Sequence, residues 1–508
     1  MAGRPTSDPQ FRIGVEGVMT RLTRRSMCSA LGALGLTGAT AGATPMSRRP
    51  NILFVLADDW GWTSSRAIDE LGMTLPNFER VKRAGLTFTN AFCAAPTCTA
   101  SRGAILTGRA PWQLEEGANL ASILPKKFGV YPDMLEAAGY VVGFADKGWA
   151  PGQLKPVGRT RNPAGDRYAD FPAFMDKRQA GTPFCFWLGT HDPHRPYVKG
   201  QGRAHGVTFD GPMLPYLPDA PEIREDIADY MYAVERFDHI LGVALDRLEA
   251  SGEADNTLVV VTGDNGPSFT HSKATLYDAG SHVPMAVSWP GKVKPGTVTD
   301  ALVVLTDLAP TFLQVAGLRP TPEMTGRSLV PLLRGGRGAR DAVVTAMERH
   351  MDGHTEPGSG YPMRALRTDR YLFIRNFHPE RWPAGDPPRQ TPSADRLEKD
   401  NYAGFADIGP GPTKAFLVLN QADPKVAPYF ALATRKRPPR ELYDIKADPY
   451  QLRDLSGDPR YAARLKALDQ RLEKELVATA DPRVGRDPDV FDHYPSYSDP
   501  GFGRPEGF

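Results

Sequence analysis

The chain has 508 residues, 41% of them hydrophobic and 24% charged, enough to bury a full-sized core, so wholesale disorder is excluded. Its formal net charge of +2 excludes a strongly electrostatic nucleic-acid binder. Four cysteines (Cys28, Cys93, Cys98, Cys185) are too few for a disulfide scaffold and fit no zinc ribbon, while 50 Gly and 48 Pro signal long, shaped loops.

The first 46 residues read as an export signal and leader. The pair Arg24-Arg25 precedes a weakly apolar stretch from Met27 to Leu36, and Ala41-Gly42-Ala43 has the small-residue form of a cleavage site. The arginine pair points to the twin-arginine route and to the bacterial periplasm, with Met19 as an alternative start. The apolar run is too short and Gly-rich to span a bilayer, and no other stretch has the length for a transmembrane segment.

The mature chain opens with Asn51–Ala57, a continuous apolar run expected of a strand buried on both faces. Similar runs recur at Tyr140–Ala145, Phe184–Gly189, Leu258–Thr262 and Met285–Ser288. The clearest helical pattern between them covers Ile223–Ala250, with Ile227, Met231, Val234, Leu241 and Leu248 near one face and Gly252 close after its end. Alternation of strand and helix predicts an α/β fold, a mostly parallel sheet flanked by helices, over residues 47–340. Residues 341–480 read as a smaller α+β subdomain. Its short antiparallel sheet draws on Ala342–Ala346, Tyr371–Arg375 and Leu442–Asp444, and Tyr461–Val477 is the closing helix. Residues 376–440 show no periodic element, and 481–508 read as a tail.

Ligands of open α/β sheets bind beyond the carboxyl ends of the strands. Four apolar runs end in polar residues there: Asp58-Asp59, Asp146-Lys147, Thr190-His191-Asp192 and Asp264-Asn265. Adjacent carboxylates repel unless a cation sits between them, and hard oxygen donors suit calcium or magnesium. Asn265-Gly266 alone could equally be a turn, so the metal reading needs both pairs.

Cys98 lies in Pro96-Thr97-Cys98-Thr99-Ala100-Ser101-Arg102-Gly103, followed by Leu106-Thr107-Gly108-Arg109. This pattern resembles that of the type I sulfatases of the alkaline-phosphatase-like superfamily, and the likeness extends over residues 49–475. The resemblance implies that a maturation enzyme oxidises Cys98 to formylglycine, whose hydrate is the nucleophile. It implies one calcium ion, or less readily magnesium, held by Asp58, Asp59, Asp264 and Asn265 together with the modified Cys98. Lys147 and Lys273 would hold sulfate oxygens, Arg102 would orient the nucleophile, and His191 would protonate the leaving atom. His191–Arg195, Arg364–Thr368, Arg375–Phe377 and Glu441–Asp444 are most similar to the sulfamidase branch. A sulfated, acidic saccharide would need a cationic rim, for which His194, Arg195, Arg364 and Arg367 are the candidates. Trp149 stands where many members carry a histidine, and Ala100 replaces a commoner proline. Two other functions stay open: a phosphomonoester or phosphonate hydrolase of the same superfamily, and a non-catalytic glycan-binding relative in which Cys98 is never oxidised. O-sulfated, N-sulfated and aryl substrates also stay open.

Overall fold

The computed structural model describes residues 49–62, 73–338 and 340–497. The export signal, with Cys28 and the Ala41–Ala43 cleavage pattern, lies outside the described residues, as do residues 498–508 of the tail.

A nine-stranded sheet organises the first part of the chain. Its strands are β1 (Asn51–Ala57), β2 (Leu86–Phe92), β3 (Val141–Asp146), β4 (Asp166–Tyr168), β5 (Phe184–Gly189), β6 (Thr257–Gly263), β7 (His282–Ser288), β8 (Thr297–Thr299) and β9 (Val303–Val304). They run in the order β4-β3-β5-β1-β6-β7-β2-β8, with β9 also on β2. β1 sits at the centre, parallel to β5 and β6, with Leu53 opposite Phe186 and Val259. Its unbroken apolar run follows from that place. Successive side chains point to opposite faces. Ile52, Phe54 and Leu56 enter the core beneath the helix Leu308–Val315, while Leu53, Val55 and Ala57 enter the core beneath the helix Pro221–Ala250.

The sheet is mostly parallel, but β7 runs antiparallel to both β6 and β2. A parallel return needs a full crossover element. Between β6 and β7 the chain has only loops and the one-turn helix Asp278–Ser281, so it returns antiparallel. No helix among the described residues is long and apolar enough to cross a membrane.

A second sheet is wholly antiparallel: β10 (Ala342–Met347), β11 (Met363–Thr368), β12 (Tyr371–Asn376) and β13 (Arg440–Asp444), in that order. Leu468, Leu472 and Leu476 of the helix Ala462–Ala478 pack on Leu366, Phe373 and Leu442 of this sheet. The stretch expected to lack periodic elements holds three short helices, Ala394–Lys399, Pro412–Leu419 and Ala427–Thr434. Leu397, Phe405, Ala415 and Val418 form their own small core.

Candidate active site

The parallel strands β3, β5, β1 and β6 deliver their carboxyl ends to one place. Two glycines permit the close approach. A Cβ on Gly189 would stand 1.9 Å from the Lys147 carbonyl, and one on Gly263 would stand 2.0 Å from the Trp60 carbonyl. Asp59 adopts φ 68°, a left-handed conformation that costs a non-glycine residue free energy and that clusters at functional sites.

Asp58 and Asp59 follow β1, Lys147 follows β3, and Asp264 and Asn265 follow β6; all five are buried. The helix Cys98–Thr107 enters the same place by its first residue, which sets Cys98 and Arg102 beside the carboxylates. Arg102 Nε donates to Asp264 Oδ2 at 2.8 Å, and its Nη1 donates to the carbonyls of Lys147 and Gly148. Lys147 Nζ lies 2.5 Å from Asp58 Oδ2, and Lys273 Nζ lies 2.7 Å from Asp59 Oδ2 and 3.6 Å from Cys98 Sγ. The Cys98 thiol donates to Asp58 Oδ1 at 3.4 Å.

Three buried carboxylates thus face three buried cations. Burial alone would raise Asp58, but Lys147, His194 and Arg102 outweigh it and hold its carboxyl well below the usual range. Asp264 goes the other way. Burial lifts it to about 6 with help from Asp58 and Asp59, against the opposing pull of Arg102. Burial, with Asp58, pushes the Cys98 thiol up to about 12 in spite of the two lysines. Such a thiol is protonated at neutral pH and inert as a nucleophile.

The donor set fits a hard divalent cation. Asp58, Asp59 and Asp264 offer oxygens within 4.8 Å of one another. Asn265 donates its amide NH2 to Asp59 Oδ1 and Gly266 O, which leaves its buried Oδ1 without a partner and available as a fourth oxygen.

Four expected contacts are corrected. His191 is not among the residues that line the cavity over Cys98: its Nε2 pairs with Asp146 Oδ1 at 3.0 Å, its backbone N–H donates to Asp146 Oδ2, and its side chain is 42% exposed. His194 is the histidine of this motif that does line it, with Nε2 3.8 Å from Asp59 Oδ2 and Nδ1 on the Arg195 carbonyl. A carbonyl partner assigns the proton to Nδ1 and leaves Nε2 with its lone pair. Arg195 reaches the cavity wall, but both its Nη atoms donate to Asp226 at 2.7 Å, so its charge is already matched. Arg364 is fully buried between Asp481 and Glu348. Arg367 is held by Asp278. Arg364 and Arg367 therefore lie outside the cavity lining with their charges matched, while Arg195 stands in the cavity wall with its charge matched by Asp226.

His350 was missed in the sequence. It follows β10, whose end is pinned over the site by Ala346 N–H to Ala94 O and by Leu120 N–H to Arg349 O. His350 Nδ1 meets Thr97 Oγ1 at 2.9 Å, and the ring lines the cavity with Cys98, His194 and Lys273. Burial, together with Lys273 and His194, keeps it neutral. The only sequence signal was a polar Glu348-Arg349-His350 run at the end of a strand, and that strand belongs to the other sheet. Trp149 is a buried core residue against Gly103. Cys93 and Cys185 are buried thiols, and His271 packs on Tyr277 with Nε2 on the Tyr450 carbonyl.

The sulfatase family profile matches residues 50–153 and 165–318, and a profile for the C-terminal part of N-sulphoglucosamine sulphohydrolase matches 268–388. Among curated proteins, an ulvan-active sulfatase of Formosa agariphila is 27% identical over 454 residues, covering 86% of this chain and 81% of that protein. Human N-sulphoglucosamine sulphohydrolase is 28% identical, covering 90% of this chain and 94% of that one. Among solved structures, an enzyme in complex with its substrate D-glucosamine-2-N,6-O-disulfate superposes with a TM-score of 0.61 at 19% identity, over 87% of this chain and 99% of that one. A phosphonate monoester hydrolase from Silicibacter pomeroyi gives 0.61 at 17% identity, over 85% and 96%.

Proposed function

The chain belongs to the sulfatase family, near its sulfamidase branch, and is a sulfuric ester hydrolase; from that premise we propose that it removes sulfate from a sulfated saccharide, using a formylglycine made from Cys98 and a divalent cation of the calcium class. The observation that carries this reading is Cys98 itself, at the head of its helix among three buried carboxylates and three buried cations. The unaltered thiol sits too high in pKa to attack anything, while its neighbours suit an oxygen nucleophile and an anionic substrate. The formylglycine hydrate supplies a hydroxyl that attacks sulfur.

Asp58, Asp59, Asp264 and the free Oδ1 of Asn265 would hold the cation, which supplies a Lewis acid for the sulfuryl oxygens. The charge arithmetic favours it. Without a metal the carboxylates and cations cancel; a divalent ion leaves the pocket two charges positive, ready for a sulfate monoester anion. Lys147 and Lys273 stand as point charges for the remaining oxygens. Arg102 fixes Asp264 through Nε and the turn after β3 through Nη1. His194 turns Nε2 toward the site; burial and Lys273 lower its pKa to about 4, so it would first take up a proton at Nε2, favoured by the bound anion, and then give that proton to the leaving atom as its bond to sulfur breaks. Two relatives act on ulvan and on N-sulphoglucosamine by name, which supports a saccharide as the leaving group. The Arg24-Arg25 leader supports work outside the cytoplasm.

The test is sulfate release from a panel of sulfated mono- and disaccharides by protein co-produced with a formylglycine-generating enzyme and supplied with calcium. The Cys98 peptide should lose about 18 Da on maturation, a covalent change of the side chain. Cys98→Ala should fold and release no sulfate. Turnover by that variant, or a preference for phosphonate monoesters with two stoichiometric zinc ions, overturns the assignment.

A further inference from the structure

The two family profiles end at residues 318 and 388, and the segment after the second lines the site. A cavity of about 750 Å³ opens above Cys98. That is far more than a sulfate group fills and lies in the range of pockets that enclose whole small ligands. One side carries Cys98, His194, Lys273 and His350. The lining also takes in Glu398, Lys399, Asn401, Tyr402, Ala406 and Gly409–Pro412, where Asn401 and Tyr402 come from the loop after the helix Ala394–Lys399.

This wall is anchored where the chemistry is. The helix Pro412–Leu419 lies on the long helix Pro221–Ala250. Asp226 of the long helix holds Arg195 and also accepts from Thr413 N–H and Oγ1, at 3.2 and 2.6 Å. Asp407 accepts the backbone N–H of Met351, next to His350, at 2.7 Å. The wall is therefore tied through Asp226 to the Arg195 side chain and through Asp407 to the backbone next to His350.

Its exposed chemistry is that of a saccharide contact. Tyr402 lines the cavity yet is 48% exposed, an apolar ring with a polar tip. Lys199 meets Glu398 across the mouth at 3.5 Å, and both side chains are partly exposed. Exposed pairs of that kind stabilise little and exchange partners readily, unlike the buried Arg195–Asp226 pair.

We propose that residues 398–412 form the saccharide-selecting wall of this site, with a sugar ring of the substrate packed on Tyr402 and Lys199 leaving Glu398 to meet an acidic substituent. The proposal rests on the sulfatase reading and adds where the sugar, rather than the sulfate, is recognised.

The experiment uses matured enzyme, N-sulfoglucosamine and glucosamine 6-sulfate as substrates, and inorganic sulfate as a competitive inhibitor that reports on the central pocket alone. Tyr402→Ala should raise KM for the sulfated sugar that is turned over by about tenfold or more, the scale of a lost aromatic contact, with a much smaller change in the sulfate inhibition constant. Tyr402→Phe should keep the wild-type KM, because the ring makes the contact. Lys199→Ala should raise KM and weaken its dependence on salt. Thermal melts of all three variants should match wild type. Equal rises in KM and in the sulfate inhibition constant, or no rise in either, overturn the wall. So does a wild-type enzyme that releases sulfate from 4-nitrophenyl sulfate but from neither sugar. Release from none of the three compounds and from no sugar of the wider sulfated panel instead overturns the sulfatase reading itself.

Discussion

His191 and His194 stand three residues apart and in unrelated surroundings. The Asp192 carbonyl accepts from Asp58 N–H and from Thr190 Oγ1, which tucks the backbone against the end of β1. His191 is then left outside with Asp146, and the chain brings His194 back over Asp59. No periodicity or spacing encodes that turn, so the motif His191-Asp192-Pro193-His194 was legible as a site while the histidine that faces the cavity was not. Single substitutions separate the two. His194→Ala should lower kcat by about 100-fold or more, the usual worth of a positioned acid or base, and His191→Ala by about threefold at most. Steady-state sulfate release measures both. A larger loss at His191 than at His194 would reverse the correction.

At the level of elements, β1, β3, β5 and β6 could be read directly because covered faces demand unbroken apolar runs, and the ligands at their ends followed from strand direction. β11 could not. Its Arg364 and Arg367 look solvated in the sequence, and only the fold supplies Asp481, Glu348 and Asp278 to bury them. The three helices between 394 and 434 were hidden for another reason: each has only six to eight residues, too short to develop a period. Their dependence on tertiary packing has a pH signature at Asp407. Burial raises this carboxyl to about 7, against the Met351 N–H bond and Lys414. A folded-state value above the ordinary 3.8 means that the stability it confers is fully present below 3.8 and is lost as pH rises through about 7. Asp407→Asn keeps an oxygen for Met351 and has no charge to desolvate. It should therefore melt higher than wild type near pH 8.5, by about 1–2 kcal/mol once the residue's partial exposure is allowed for, and the gap should narrow through pH 5 and close only near pH 3.8. A gap that widens toward low pH would refute that account of the wall.

Across the whole molecule, the site draws on the ends of both sheets and on the helical wall, so what binds there couples to the stability of all three. The carboxylates of Asp58, Asp59 and Asp264 come from the ends of β1 and β6, the two strands at the middle of the large sheet. An unfolded chain disperses those oxygens, so a divalent cation binds the folded form and stabilises it by mass action. At a free concentration a hundred times its Kd the gain is about 2.7 kcal/mol. Spread over the unfolding entropy of a chain this long, it is a rise in Tm of about 3 °C. Calcium added to chelator-stripped protein should produce that rise, and excess chelator should abolish both the rise and sulfate release. Protons compete for the same oxygens. Asp264 sits at about 6, raised by burial and by its two acidic neighbours against Arg102, so below pH 6 it increasingly holds a proton instead of the cation. The calcium-dependent rise in Tm should be full at pH 7.5 and should shrink toward pH 5, with apparent affinity falling by up to about tenfold per pH unit. Differential scanning calorimetry across calcium and pH measures this directly. A Tm indifferent to calcium at pH 7.5 would mean that the three carboxylates are satisfied by Arg102, Lys147 and Lys273 alone, and the cation would have no place in the mechanism.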